Sequence, residues 1–331
     1  MKKVLSVIMA AVLLLSVSSI GFAENKDSTF GAYKRVFIIG IDGAGRFIED
    51  ADTPNFDRIF KDGAVNYTSR AEVKTDSAPN WTSILAGVSY FKTKLDNGVS
   101  GKVERTSETE FPTIFTYLRK ALPDAELASF VNWDNINFGI IENDIGVNKF
   151  NVSDDAKLTD AICEYFDAGN DPTLFFVQFD SVDHEGHSHG SKSEEYFRQL
   201  NVVDGYLGRV YDTIEENGLL EDSLFIVTAD HGHTTAGGHG GITMRETNVT
   251  VAVAGKTVVK GGKLDSDTRN RDIAAIALYA LGYERPDDFT ARIPANLFEG
   301  VEGEARPVSK DMADYIISSL AWVVTLITSI V

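Results

Sequence analysis

The chain has 331 residues, of which 43% are hydrophobic and 24% are charged, and this composition excludes a disordered or low-complexity protein. Acidic residues number 49 against 31 basic ones, so the formal net charge is −18, which excludes the basic surface typical of proteins that bind nucleic acids. The chain has one cysteine, Cys163, which excludes an intramolecular disulfide bond and a cysteine-based metal cluster.

Residues 1–23 have the pattern of a secretory signal peptide. Two lysines follow the first methionine, residues 4–17 are apolar, and the small residues Gly21 and Ala23 occupy positions −3 and −1 of a cleavage site. An uncleaved anchor is the alternative interpretation. We therefore expect an exported protein that is secreted, periplasmic or located at the cell surface.

Three apolar runs predict the central strands of the fold. Residues 35–41, 174–179 and 224–229 are apolar at successive positions, so both faces of each strand would be buried. Strands buried on both faces are typical of parallel sheets that helices cover on each side. The predicted fold class is therefore α/β, with a mostly parallel central sheet and helices on both of its faces.

Helical patterns lie between and after these strands. Residues 191–217 have apolar side chains at helical spacing, and Ser191 with Glu194 forms a candidate capping box at their start. A second helical pattern covers residues 270–281. Since no internal repeat or long linker interrupts the alternation, we expect one catalytic domain over residues 24–303.

Residues 304–331 form a C-terminal tail, and its last part, 315–331, contains no charged residue. As a helix this part would be about 25 Å long at about 1.5 Å per residue, slightly less than the hydrocarbon core of a bilayer, which is about 30 Å thick. Two interpretations stay open, a buried terminal element and a membrane anchor. No cluster of basic residues flanks the segment to favour the anchor.

Aspartates follow all three predicted strands, and all six histidines lie within residues 184–239. Asp42 follows the first strand, Asp183 the second and Asp230 the third. A single aspartate at a strand end is usually a capping or turn residue, but sites of open α/β sheets form where the carboxyl ends of strands meet. Oxygen and nitrogen ligands without cysteine favour zinc, with manganese or iron as competitors.

The spacing of these residues leaves one ambiguity in the ligand set. Asp183 and His187 are four residues apart, with Gly186 between them as a source of backbone freedom, and Asp180 and His184 have the same spacing. Spacing alone does not choose between the two pairs.

Two further histidines have a local sequence that suits a metal ligand. Asp230 and His231 are adjacent, so a turn at the strand end would direct both side chains to one ion. His239 is flanked by four glycines, which allow the backbone to pass close to a crowded site. A flexible loop is the alternative explanation of these glycines.

Ser77 is the candidate nucleophile. Pro79 suits the first position of a helix, so Ser77 would lie just before the helix N-terminus, where free N–H groups and the helix dipole favour a phosphate. A serine hydroxyl is a weak nucleophile at neutral pH, and a metal ion is the natural activator. The alternative is that Ser77 only caps the helix.

In this order and spacing, the motifs resemble those of the alkaline phosphatase superfamily, most closely its type I phosphodiesterase/nucleotide pyrophosphatase branch. The resemblance extends from about residue 35 to 298. The motifs that carry it are IGIDG at 39–43, TDSAPNWTSILAG at 75–87, DHEGHSHG at 183–190, ADHG at 229–232, GGHGG at 237–241, DIAAIALYALG at 272–282 and RIPANLFEG at 292–300.

The resemblance implies two divalent metal ions, most often zinc, about 4 Å apart and bridging one phosphoryl group. Its D-x-x-G-H pattern favours Asp183 with His187 over Asp180 with His184. Carried over residue by residue, the ligands of one ion are Asp42, Asp230 and His231, and those of the other are Asp183, His187 and His239.

The implied reaction is the hydrolysis of a small phosphate ester through a phosphoryl-serine. The first ion would also bind and activate Ser77, and Asn97 would steady a phosphoryl oxygen together with the N–H of Ala78. The phosphodiesterase branch commonly has threonine where Ser77 stands, whereas serine after Asp76 is more similar to the monoesterases. Four remaining residues match no ligand position and are expected around the ligands or facing the substrate, with plain exposure to solvent as the alternative: Asp180, His184, His189 and His233.

Other functions are compatible with parts of this pattern. A sulfate or phosphonate ester hydrolase of the same superfamily is one, although the formylglycine sulfatases carry an arginine where Trp81 stands. A phosphomutase would share the metal site, but an export signal argues against a cytosolic metabolic enzyme. A non-catalytic secreted zinc-binding protein would explain the histidines and would have no use for Ser77.

Overall fold

The computed structural model describes residues 29–307, so the predictions for the signal peptide and for segment 315–331 lie outside the described residues. An eight-stranded sheet forms the centre of the fold. The first two predicted strands have the predicted bounds, and the third begins and ends one residue earlier. In chain order the strands are β1 (Arg35–Ile41), β2 (Ala64–Arg70), β3 (Leu127–Val131), β4 (Asn148–Asn151), β5 (Leu174–Phe179), β6 (Ser223–Thr228), β7 (Asn248–Ala254) and β8 (Gly262–Lys263).

The sheet is mostly parallel, as predicted. The strand order is β4-β3-β5-β1-β6-β7-β2-β8, and β1 pairs in parallel with both β5 and β6. Strand β7 is antiparallel to both of its neighbours, β6 and β2. The carboxyl ends of β1, β5, β6 and β2 therefore meet at the same edge of the sheet as the beginning of β7.

Helices cover both faces of the sheet. Among residues 29–307, no helix is both long enough and apolar enough to cross a membrane. Besides a 3-10 helix (Phe47–Asp50) and a π-helix (Ile136–Ile140), the helices are α1 (Pro54–Phe60), α2 (Ser77–Ala86), α3 (Tyr90–Thr93), α4 (Asn97–Ser100), α5 (Ile114–Ala121), α6 (Asp155–Asp167), α7 (Ser181–His189), α8 (Glu194–Glu216), α9 (Met244–Thr247) and α10 (Asp272–Ala280).

Two hydrophobic cores hold these layers together. Along β1, Ile38 points into the core beneath α2 and α10, whereas Phe37 and Ile39 point into the core beneath α6 and α8. This alternation follows from the two-residue period of a strand. It explains why β1 is apolar at every position after Arg35, and it fixes the carboxyl end of β1 in the middle of the fold.

The start of α8 differs from the prediction. The capping box of Ser191 and Glu194 does not form, because the helix begins at Glu194 and the hydroxyl of Ser193 accepts a hydrogen bond from the N–H of Tyr196 at 3.1 Å. Ser191 is buried and donates instead to the backbone oxygen of His233 at 2.7 Å. It thus attaches the chain before α8 to the loop that carries the histidines.

Candidate metal centre

The three strand-end aspartates lie at one edge of the sheet. Asp42 directly follows β1, Asp230 lies two residues beyond the end of β6, and Asp183 lies in the first turn of α7, which follows β5. Because these three strands are parallel neighbours, their carboxyl ends bring the aspartates together. The side chains of Asp42 and Asp230 are buried, and that of Asp183 is 15% exposed.

Asp42, Asp230 and His231 form the first cluster, which is one of three groups among the described residues that could hold a cation; the group of Asp183, His231 and His233 shares a member with each of the other two. The Nε2 atom of His231 lies 3.5 Å from Asp42 Oδ1 and 3.3 Å from Asp230 Oδ2. Both of these carboxylate oxygens are buried and have no hydrogen-bond partner among the described residues. Buried polar atoms without a partner are costly, and two carboxylate oxygens facing one imidazole nitrogen are the donor set that a divalent cation requires.

The other oxygens of these carboxylates are held by protein donors. Trp81 Nε1 and Gln178 Nε2 donate to Asp42 Oδ2 at 2.8 and 2.9 Å. The backbone N–H groups of Gly43 and His231 donate to Asp230 Oδ1 at 3.1 and 2.8 Å. Each carboxylate is therefore fixed through one oxygen while its second oxygen stays free for a ligand bond.

The charge balance of the first cluster also fits a cation. Burial and the neighbouring Asp230 and Asp183 raise the pKa of Asp42 well above its usual range, and burial raises the pKa of Asp230 to about 8. Burial lowers the pKa of His231, which keeps its imidazole neutral, the form that binds metals. A dication would remove the repulsion between the carboxylates.

Asp183, His187 and His239 form the second cluster. The Nε2 atoms of His187 and His239 are 3.1 Å apart, and they lie 3.4 Å from Asp183 Oδ2 and 3.7 Å from Asp183 Oδ1, respectively. Nδ1 of His239 lies 2.7 Å from the backbone oxygen of Thr75, so it donates its proton there and leaves Nε2 as the ligand atom. Although burial raises it, the pKa of Asp183 is lowered overall by hydrogen bonds from His187 and His233.

The two clusters adjoin each other. Nε2 of His231 lies 3.9 Å from Asp183 Oδ1, and the rings of His231 and His239 stack with their centroids 3.8 Å apart. In each cluster the three ligand atoms lie within 4.8 Å of one another. The structure therefore brings together all six side chains predicted as metal ligands.

Ser77 lies beside the first cluster. Its Oγ atom is 3.2 Å from Nε2 of His231, and the residue is 8% exposed. Helix α2 begins at Ser77, two residues earlier than predicted, so Pro79 is its third residue. The nucleophile candidate is thus held in the first helical turn, next to the donor atoms of the first cluster.

Asn97 lies beside this turn. Its Oδ1 atom accepts a hydrogen bond from the N–H of Ala78 at 2.8 Å. Asp96 caps α4 by accepting from two backbone N–H groups, which fixes the position of Asn97 at the start of that helix. Lys74 connects the two segments, because its Nζ atom lies 3.3 Å from Asp76 and 3.6 Å from Asp96.

His233 takes a larger part in the site than the sequence indicated. It is fully buried, and its Nε2 atom contacts Asp183 Oδ1 at 2.8 Å. Two glycines leave room for its ring: an added Cβ would lie 2.4 Å from the ring at Gly186 and 2.8 Å from it at Gly43. The expected role of Gly186 was wrong, since the residue lies within α7 and serves close packing, not backbone freedom.

The other residues expected around the ligands are distributed differently. Gln178 donates to Asp180 Oδ1 at 2.8 Å as well as to Asp42, so Asp180 is connected to the first cluster. His184 lines a separate cavity with Asp180, and His189 pairs with Glu185 at 3.5 Å. The structure does not bring His184 or His189 to the clusters, because α7 turns them away from the face that carries Asp183.

Gly186→Ala tests the packing of His233. The added methyl would meet the buried ring at 2.4 Å, and overpacking of this kind costs about 1–3 kcal/mol. Gly205→Ala is the matched control, because that glycine lies in α8 with no atom near its missing Cβ, and alanine there should stabilise by about 0.5–1 kcal/mol. We expect urea unfolding to show a lower stability for Gly186→Ala and a slightly higher one for Gly205→Ala. Equal effects at both positions would contradict the packing argument.

Comparison with known proteins gives a family and several relatives. The model of the family described as type I phosphodiesterase / nucleotide pyrophosphatase matches residues 106–311, which include five of the six candidate ligands but neither Asp42 nor Ser77. A GPI ethanolamine phosphate transferase 1 of Candida glabrata is 27% identical over 152 residues, which are 40% of this chain and 16% of that protein. The chain spans less than a third of the length of the curated relatives it matches, 28% at most among those compared here.

Solved structures with the same fold include enzymes that act on different esters. An inactive variant of murine ectonucleotide pyrophosphatase / phosphodiesterase 5 in complex with AMP superposes with a TM-score of 0.63 and 13% identity, and covers 76% of this chain and 96% of its own. A 2-O GAG sulfatase superposes with a TM-score of 0.62 and 13% identity, and covers 78% of this chain and 73% of its own. At this level of identity the likeness establishes the fold.

Proposed function

Because this chain belongs to the type I phosphodiesterase / nucleotide pyrophosphatase family, we propose that it is a metal-dependent enzyme that cleaves phosphate esters with Ser77 as its nucleophile. One observation carries the proposal. The hydroxyl of Ser77 lies 3.2 Å from Nε2 of His231, the nitrogen that also faces the unpartnered oxygens of Asp42 and Asp230. A nucleophile, a set of metal ligands and a helix N-terminus therefore converge on one point.

We propose two divalent metal ions, most often zinc in sites of this composition. When bound, they would polarise the phosphoryl group and lower the pKa of the attacking hydroxyl. The proposed ligands are Asp42, Asp230, His231 and Ser77 for one ion, and Asp183, His187 and His239 for the other.

The side chains of this protein would then perform a two-step transfer. The Ser77 oxygen forms a bond to phosphorus while the bond from phosphorus to the leaving oxygen breaks, and the hydroxyl proton passes to the leaving oxygen, so the products are an alcohol and a phosphoryl-serine. The N–H of Ala78, which donates to Asn97 Oδ1 at 2.8 Å when no substrate is bound, and the amide of Asn97 would turn to hold a phosphoryl oxygen that gains charge. A water molecule then forms a bond to phosphorus while the bond from phosphorus to the Ser77 oxygen breaks. A proton of the water passes to that oxygen, which restores the Ser77 hydroxyl and releases the phosphoryl product.

A transferase is the second candidate. The curated relatives are named as ethanolamine phosphate transferases, and in such a reaction the second acceptor is an alcohol instead of water. The same Ser77 and metal ligands serve both reactions. Sulfate or phosphonate ester hydrolysis and zinc binding without catalysis stay as the further alternatives.

We also propose that the protein is exported and that it has a single catalytic domain. Residues 1–23 support export, and segment 315–331 would supply a membrane attachment if it is an anchor. We propose a single catalytic domain that begins after the signal peptide. The pairing of the Arg306 side chain with Asp272 in α10 at 2.9 Å supports an extension of this domain from the expected residue 303 to residue 306.

A substrate screen tests the proposed function. The zinc-loaded protein is assayed with p-nitrophenyl phosphate, bis-p-nitrophenyl phosphate, a p-nitrophenyl ester of a nucleoside monophosphate and p-nitrophenyl sulfate. We expect turnover of at least one phosphate ester and little of the sulfate. Preferential turnover of the sulfate would favour the sulfatase alternative, and stoichiometric zinc without turnover would favour the zinc-binding protein. Addition of ethanolamine, glycerol or a sugar alcohol separates transfer from hydrolysis by the products formed.

A further inference from the structure

A second cavity, which we call the Arg245 pocket, lies at the same edge of the sheet as the metal centre. Its volume is about 660 Å³, within the range of small-molecule sites. Thr68 near the end of β2 and Asn248 at the start of β7 place it at this edge. Its lining residues are Arg46, Phe47, Thr68, Thr234, Thr235, Thr243, Met244, Arg245 and Asn248.

The Arg245 pocket and the metal centre share a wall. Thr234 and Thr235 line the pocket and directly follow His233, which contacts Asp183. On the other side, the N–H of Gly45 donates to the backbone oxygen of His231 at 2.8 Å and leads to the lining residue Arg46. The pocket is therefore built on the chain segments that carry two of the buried histidines.

Arg245 supplies a positive charge without an acidic partner. Within residues 29–307 its guanidinium forms no ion pair, and it lies over the ring of Phe47 at 5.6 Å. Arg46, by contrast, is paired with Glu49 and with Asp50. An unpaired guanidinium in a chain with a net charge of −18 offers an anion a fork of hydrogen-bond donors.

Asn248 provides an independent indication of a ligand. The residue is only 4% exposed and lines the pocket, yet its side chain forms no hydrogen bond with any described residue. Neither polar atom of this amide is among the fully buried unpartnered atoms of the described residues, so the amide is accessible from the cavity, where it can bond to a ligand. Its amide group can donate to the same anion that Arg245 attracts.

We propose that the Arg245 pocket binds a phosphate group through the guanidinium of Arg245 and the amide of Asn248. Its ligand class is a phosphorylated compound whose apolar part packs on Phe47 and Met244. This inference does not need Ser77 or a metal ion. If the proposed function is also right, the pocket selects substrates or effectors that carry a second phosphate group beside the reacting one.

Calorimetry on the full chain after chelation tests the inference, because metal removal leaves three aspartates at the metal centre that repel phosphate. Inorganic phosphate is titrated at constant ionic strength. We expect saturable binding that Arg245→Gln weakens at least tenfold and that Asn248→Asp abolishes by charge repulsion. Arg198→Gln is the matched control, since Arg198 is an exposed arginine of α8 without a described ion pair, and it should bind as the wild type does.

Two results would overturn the inference: no saturable binding to the wild type, or equal affinity in the wild type and Arg245→Gln. Thermal melting of each variant confirms that it is folded, and Arg245 is partly exposed, so glutamine should be tolerated there. The substrate screen is independent of this titration. Phosphate binding without any turnover would contradict the proposed function and support the phosphate site in the Arg245 pocket. Turnover without this binding would support the proposed function and contradict the phosphate site.

Discussion

Replacement of Ser77 by alanine should abolish turnover while leaving the metal content unchanged. Loss of a nucleophile that acts through a covalent intermediate costs about four orders of magnitude or more in kcat. The six carboxylate and imidazole ligands stay in place, and alanine is a good residue for the first turn of α2, so the fold and the metal site should persist. The measurement is kcat on the best substrate of the screen, together with zinc content by elemental analysis.

Two further variants make this prediction specific. Ser83→Ala removes another buried serine of α2, whose hydroxyl has no hydrogen-bond partner among the described residues, and should leave kcat within about twofold of the wild type. Ser77→Thr keeps a hydroxyl at the site, and we expect reduced but measurable turnover, because related enzymes commonly use threonine there. A Ser77→Ala protein with rates similar to the wild type would remove Ser77 from the mechanism, whatever its distance from His231.

The central part of the fold could be predicted because its physical signal is local. Strands β1, β5 and β6 are buried on both faces, so nearly all of their residues are apolar or small, and the pattern is visible without an alignment. The short strands β4 and β8 lie at the sheet edges and carry exposed or partly exposed polar residues. Their pairing depends on neighbours distant in sequence, so no local pattern indicates them.

In the candidate site, too, some residues have a local sequence signal and others depend on contacts with residues distant in sequence. Asp42 and Asp230 could be found because they follow strong strands, and the choice of Asp183 with His187 came from the resemblance, not from spacing. By contrast, the contact between His233 and Asp183 joins residues 50 positions apart. Gln178 of β5 donates to Asp42 although the two residues are 136 positions apart, and Trp81 donates to Asp42 from helix α2, which covers the sheet. Contacts of this kind are fixed by the packing of the layers, which a single sequence does not reveal.

Helix α7 illustrates how a segment with weak helix propensity becomes helical in the folded chain. Its sequence has few apolar residues and contains Gly186, at which we expected backbone freedom and not a position within a helix. The helix forms because Gly186 packs closely against His233 and because Asp183 and His187 reach the same cluster from one helical face. Tertiary contacts here override the weak helix propensity of the segment.

Chelation should lower thermal stability as well as activity. Without a cation, the buried carboxylates of Asp42 and Asp230 must either stay charged near each other or take up protons, and both states raise the free energy of the folded chain. A ligand that binds only the folded state stabilises it by about 3–4 kcal/mol at 100 to 1,000 times its Kd. For a domain of this size, that corresponds to a decrease in Tm of about 5–10 °C. Scanning fluorimetry before and after treatment with a chelator, and again after zinc is added back, measures the effect.

Asp42→Asn separates loss of the metal from general damage by the chelator. The asparagine has nearly the same shape as Asp42 but removes one negative charge, so the variant should bind zinc more weakly and lose most of the chelator effect on Tm. Its metal-free form should melt no lower than the metal-free wild type, since the repulsion with Asp230 is gone. If the wild type keeps its melting midpoint after thorough chelation, the unpartnered oxygens of Asp42 and Asp230 are not metal ligands, and the proposed two-metal site loses its structural basis.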